Sequence, residues 1–148
     1  MTEAGNPANM RADFIPIRPE QIDAVWSAAA PLIRLAQKRI ARNIGMADIY
    51  EDLTHGKMCL WLVRQEDTLK AVILTEIAQH PRRRVLRILM IGGSGMSKWL
   101  QQGIDAMAKA AKLAGCSAIE ADGRLGWSRI VPALGFREVS RAYEMEIV

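Results

Sequence analysis

The sequence predicts an α+β sandwich built on one mixed sheet. Three observations carry this. The apolar period changes near residue 58 from helical to strand-like. Three strand-like runs then follow one another through short polar links, which reads as an antiparallel meander. Finally the third of these runs ends in "GGSG" and passes into a helical stripe and one more strand, a βαβ unit whose two strands should lie parallel. The 148 residues, 50% hydrophobic and 24% charged, suit a single domain with a substantial core.

The start, "MTEAGNPANMRADF", is polar and lacks an apolar segment of the secretory type. Residues 1–12 read as a flexible tail and 13–148 as the domain. "DFIPIR" (13–18) reads as a short strand. Arg18-Pro19-Glu20 opens a helix, with proline at the first helical position and an acid in the first turn. Ile22, Val25, Trp26 and Ala29 recur at helical spacing. Pro31 is expected to break or kink this helix. Leu32, Leu35, Ala36 and Ile40 form a second stripe, stopped by "NIG". Residues 46–54 read as a third short helix ending at His55-Gly56.

"MCLWLV" (58–63) is continuously apolar, as a strand buried on both faces would be. "QEDT" is a turn, "LKAVILTEIA" (69–78) a strand, "HPRRR" a turn and "VLRILMI" (85–91) a strand. Leu100, Ile104, Met107, Ala108 and Ala111 form one face of a helix over 97–114, with Gly115 at its end. "SAIEAD" (117–122) is a strand. "WSRIVPAL" (127–134) is a short helix that holds Pro132 and stops at Gly135. "YEMEI" (143–147) alternates, with Tyr143, Met145 and Ile147 on one side and Glu144 and Glu146 on the other, so a half-buried final strand is expected.

The bulk numbers narrow the function. No apolar run reaches the ~18 residues of a membrane span. Cys59 and Cys116 sit in apolar segments without metal or redox spacing, which points to reduced core thiols and a cytoplasmic setting. His55 and His80 have no ligand-spaced partners, so no metal is assigned. The net charge of +4 is concentrated in "PRRR" (81–84) and "KRIARN" (38–43), read as a solvated hairpin tip and a solvated helix face. No aromatic residues interleave with these cations, which argues against nucleic acid.

The element order, the "IRPEQIDAV" opening, the glycine-rich strand-to-helix turn and the "LGF" after the last short helix together resemble the GCN5-related N-acetyltransferase (GNAT) superfamily. "EADGRLGWSRIVPALGFREV" is similar to the C-terminal part of acetyltransferase-like proteins of tailed phages and prophages. The resemblance covers roughly residues 13–148. It implies a three-layer α/β/α sandwich with a mixed, mostly antiparallel sheet.

It also implies acetyl-CoA at the turn after the fourth strand. There the family pattern is Arg or Gln, two residues, Gly, one residue, Gly or Ala. Glycines let the backbone approach pyrophosphate, and amides at a helix N-terminus point at its oxygens. Gly93 and Gly95 match the two glycine positions, and Met90 stands at the polar lead position. The implied cofactor residues are Ile91, Gly92, Gly93, Ser94, Gly95, Met96, Ser97 and Lys98. Arg124 stands where the family has an Asn that contacts the CoA arm.

Val131 stands where the family has a tyrosine acid, and valine gives no proton to sulfur. Tyr143 is the other tyrosine of this part of the chain. The candidate base is Glu76, Glu120 or water, with Glu120 and Asp122 sharing one face of their strand. Trp127 either packs its helix onto the sheet or fills the slot of the thiol arm.

Two functions stay open on these residues. One is acetyl transfer from acetyl-CoA to a small-molecule or protein amine, for which the retained glycines speak. The other is a non-catalytic phage component, structural or virion-associated, with phage proteins as partners, for which Met90 and Val131 speak. A phage origin would place the chain in host cytoplasm or virion. Twelve residues follow Phe136, too few for a long C-terminal hairpin, so either the hairpin is minimal or one strand pairs across an interface in a homo-oligomer.

Overall fold

The computed structural model describes residues 11–40, 44–121 and 131–147. Its elements run β1 (Asp13–Ile17), α1 (Ile22–Ile40), α2 (Met46–Thr54), β2 (Cys59–Gln65), β3 (Thr68–Gln79), β4 (Arg84–Gly93), α3 (Met96–Leu113) and β5 (Ala118–Ala121), with 3-10 turns at Pro19–Gln21 and Val131–Leu134. The five strands form one sheet in the order β1-β2-β3-β4-β5. Neighbours are antiparallel except β4 and β5, which are parallel. The meander and the parallel βαβ unit are therefore both present.

Each face of the sheet buries its own cluster. Ile22, Ala29, Ile33 and Ala36 of α1 and Ile49 and Leu53 of α2 pack on Leu60, Val72, Leu74 and Met90. On the opposite face Trp99, Leu100, Ile104 and Met107 of α3 pack on Trp61, Val63, Ile73, Leu86 and Ile88. This is the expected three-layer sandwich. Strand alternation sends odd and even residues to opposite clusters, so one strand serves both layers.

Local chemistry sets the helix entries. The Arg18 amide donates to Gln21 Oε1 at 3.0 Å, and the Gly45 amide to Asp48 Oδ2 at 2.9 Å. Such bonds satisfy donors that a helix start leaves open. Tyr50 donates its hydroxyl to the Asp23 carboxylate and meets Trp26 edge-on at 5.1 Å, which ties α2 to α1. That hydrogen bond also raises the Tyr50 phenol above its ordinary pKa.

Two expectations need correction. Pro31 does not end its helix: α1 runs through it as one 19-residue element. Proline lacks the N–H and so removes one backbone hydrogen bond, but buried Ala29, Ile33 and Ala36 hold the turns on both sides against the sheet, and packing outweighs the local loss. The final strand is absent as well. Residues 137–147 form neither helix nor strand, and Tyr143, Met145 and Ile147 are exposed at 87%, 84% and 94%. The alternation is there, but no described strand lies beside it to make it half-buried.

Both cysteines are free and half-buried, and burial pushes the Cys59 thiol up. The side chains of 38–43 lie outside the described residues. No helix among the described residues is long and apolar enough to cross a membrane.

Candidate functional site

β4 has ten residues and β5 only four. The parallel ladder runs from Val85 opposite Ala118 to Ile88 opposite Ala121. On its other side β4 stays paired with β3 as far as Gly93. From Leu89 to Gly93, then, β4 has a partner on one side and no described strand on the other. The opening begins at a bulge: Leu74 pairs with Met90 and Thr75 with Ile88, so Leu89 is the extra residue. A bulge bends and twists its strand, and this one falls where the ladder with β5 ends.

The direction of the free amides follows from one hydrogen bond. Ser94 donates its amide to the Lys70 carbonyl at 3.0 Å. Donors along an antiparallel strand alternate sides. The amides of Met90 and Gly92 therefore face β3, and those of Ile91 and Gly93 face the side that β5 does not cover.

The turn itself is fixed by packing. A Cβ on Gly92 would sit 2.2 Å from the Leu32 carbonyl oxygen of α1, so only glycine lets helix and strand backbones come this close. Gly93 and Gly95 have φ of 138° and 73°, the region that favours glycine. Trp99, fully buried one helical turn on, donates its indole N–H to the Ser94 carbonyl at 3.0 Å.

α3 starts at Met96 with Gly95 as its cap. Lys98 donates its amide to the Gly95 carbonyl at 2.9 Å. The amides of Gly95, Met96 and Ser97 have no carbonyl to reach inside the helix. Ser94, Gly95, Ser97 and Lys98 are all exposed. The result is a ridge of outward-facing donors at the positive end of an 18-residue helix, where an anion is favoured. Met90, at the lead position, is buried between α1 and the sheet and offers nothing to that ridge.

The acids gather elsewhere. By register Glu76, Arg87 and Glu120 form one row across β3, β4 and β5. Arg87 lies 3.4 Å from Glu76 and 3.6 Å from Glu120, and Arg83 lies 3.3 Å from Glu120. His80 adds a contact to Glu120 at 3.8 Å. This row is six residues down β4 from Gly93, about 20 Å at the usual strand rise.

Compared with solved structures, the chain superposes on aminoglycoside N-acetyltransferase AAC(6')-Iy in complex with CoA at a TM-score of 0.67, with 16% identity, covering 95% of this chain and 97% of that one. The fold is that of the GNAT acetyltransferases. A predicted acetyltransferase from Clostridium acetobutylicum, solved with acetyl-CoA, gives a TM-score of 0.63 at 13% identity over 92% of this chain and 96% of that one. Glucosamine-6-phosphate N-acetyltransferase from Arabidopsis thaliana gives 0.63 at 12% identity over 93% and 99%. No family model matches the chain, and no curated protein matches it.

Within the GNAT fold the expected residues divide into three groups. Ile91 to Lys98 come together at the opening beside β4. Two of their amides are already engaged, Ser94 with Lys70 and Lys98 with Gly95, and Gly92 serves the contact with α1. Glu76 and Glu120 come together with each other but not with the turn. Tyr143 joins neither, standing exposed on the C-terminal segment. Arg124, Asp122 and Trp127 lie outside the described residues, and Val131 opens a 3-10 turn.

The sequence reading missed Trp99 and the bulge. Both left signals. Trp99 precedes Leu100 in the α3 stripe and stands four residues after Gly95. "ILMI" after Arg87 puts four apolar residues in a row, longer than one strand face can use by alternation.

Proposed function

We propose that the chain binds acetyl-CoA in the opening beside β4 and transfers its acetyl group to an amine. The observation that carries this is the pair of outward amides, Ile91 and Gly93, running straight into the free donors of Gly95, Met96 and Ser97. The helix-end donors suit a pyrophosphate, with Lys98 adding charge from the rim. A strand amide a few residues earlier suits a thioester carbonyl, which it polarises as an oxyanion donor does. The two sets follow one another along the chain, in the order that an acyl end and its phosphate tail require.

In this reading the amine nitrogen forms its bond to the carbonyl carbon as the carbon–sulfur bond breaks. The departing thiolate takes its proton from water, because Val131 has none to give. The amine proton leaves to water, since Glu76 and Glu120 are held by Arg87 further down the strand. Positioning supplies most of the rate in such a site, and effective molarities of about 10⁵ M or more are available from orientation alone.

The test is calorimetric titration with acetyl-CoA. Micromolar binding is expected, together with loss of at least about 100-fold in Gly95→Glu, whose new carboxylate would stand at the helix N-terminus. Unchanged circular dichroism would show the fold intact. A second reading, a non-catalytic phage structural component on the same fold, is supported by buried Met90 and by Val131. Absence of heat at millimolar acetyl-CoA would leave that reading and remove the first.

A further inference from the structure

We propose that Phe14, on the strand at the far edge of the sheet, is a positioning residue for the phosphate turn and acts on it through Trp99, an inference that takes its ligand from the acetyl-CoA reading. Four strands share one row beneath the start of α3. Phe14 pairs with Val63, Val63 with Ala71, and Ala71 with Gly93. The side chains shrink along that row, from a ring through an isopropyl and a methyl group to a single hydrogen. Phe14, Val63, Ala71 and Trp99 all belong to the cluster on the α3 side of the sheet.

Trp99 joins the two ends of the row. Its indole N–H donates to the carbonyl of Ser94, the residue after Gly93, at 3.0 Å. Its ring meets Phe14 at 5.9 Å between centroids, with 60° between the planes. One hydrogen bond fixes a point of the indole and not its plane. The edge contact with a second ring settles the plane, and with it the line of the N–H. At the small end a Cβ on Gly93 would lie 2.6 Å from the Ala71 Cβ, so the turn closes on β3 with no room for a side chain.

The large end is itself held. A Cβ on Gly103 would lie 2.9 Å from Cε1 of Phe14, so the ring rests on the α3 backbone one helical turn past Trp99. Ala12, buried, donates its amide to Gln102 Oε1 at 3.0 Å. The entry of β1 is thereby tied to the same turn of α3. Phe14 is too far from the turn to touch a ligand there. Gly93 is three strands away, about 14 Å at the usual spacing. Its influence on acetyl-CoA therefore passes through the indole.

Two measurements on the full chain test this, one of them without ligand. The Trp99 indole N–H gives its own proton–nitrogen NMR signal, assigned by its loss in Trp99→Phe. In Phe14→Leu that signal should shift, and its proton should exchange with water about tenfold faster or more. Gly103→Ala presses on the same ring from the helix side and should move the same signal, so the test survives if Phe14→Leu fails to fold. Acetyl-CoA should bind about fivefold more weakly to Phe14→Leu, and no more weakly to the double variant with Trp99→Phe than to Trp99→Phe alone. Ile17→Val, on the same strand but in the opposite cluster, should change neither reading. An indole signal unmoved by Phe14→Leu and Gly103→Ala would overturn the proposal, and so would losses of affinity that add in the double variant. If the unaltered chain takes up no acetyl-CoA, the cofactor reading falls by itself, and the indole signal still decides the role of Phe14.

Discussion

The two ends of β4 solve the problem of charge in opposite ways. At its start, around Arg84 and Arg87, the strand is surrounded by side-chain ions, and each acid has a cation within reach: Glu76 has Arg87, and Glu120 has Arg87 and Arg83, with the His80 ring beside it. At its far end the strand has no charged side chain before Lys98, and the positive character comes from main-chain amides. The first end is self-neutralised and has little left to offer a ligand. The second is uncommitted, and its donors are rigid because glycine contacts and Trp99 hold them. Sequence charge alone points to the first end, since the arginines are the visible feature and the amides have no letter.

Mutations should separate the ends by size of effect. The largest concerns Gly92. Gly92→Val places carbon against the Leu32 carbonyl at 2.2 Å, and should cost about 3 kcal/mol or more in urea unfolding. A mild effect would mean that α1 can slide off the turn. Trp99→Phe comes next. It keeps an aromatic ring but leaves the Ser94 carbonyl without its indole donor, a loss of about 1–2 kcal/mol in unfolding. It should also weaken acetyl-CoA several-fold, and a loss of stability with full affinity would show that the turn needs no pin.

Arg87→Gln should do least. The pairs are about a third exposed on both sides, so the expected loss is under about 1 kcal/mol and should shrink further in salt. Its effect on acetyl-CoA affinity should be nil. A large effect there would erase the contrast between the two ends.

The meander and the βαβ unit were legible because strand alternation and turn residues are local. "QEDT" between two apolar runs became a two-residue link, Glu66 and Asp67 both at positive φ, as tight hairpins require. α1 was less legible. Pro31 carries a strong local signal, and only the burial of Ala29, Ile33 and Ala36 against distant strands overrides it. Gly92 was legible as part of a glycine run but not for its reason, which is the backbone of a helix sixty residues earlier.

The candidate site was half legible. "GGSG" marked its place. The open edge beside it depends on how short β5 is and on the slip at Leu89, and neither is a property of a single motif. The C-terminal alternation was read as a half-buried strand and is neither strand nor buried, because a pattern shows which face is apolar and not what will pair with it or cover it.

Trp99 has one more consequence. A Cβ on Gly95 would lie 3.6 Å from its indole nitrogen, so the ring sits directly beneath the turn that would grip a phosphate. Of the chain's four tryptophans, this one is wired to that turn by a hydrogen bond. Its ultraviolet emission is thus a native optical gauge of occupancy, read without any label by subtracting the spectrum of the phenylalanine variant.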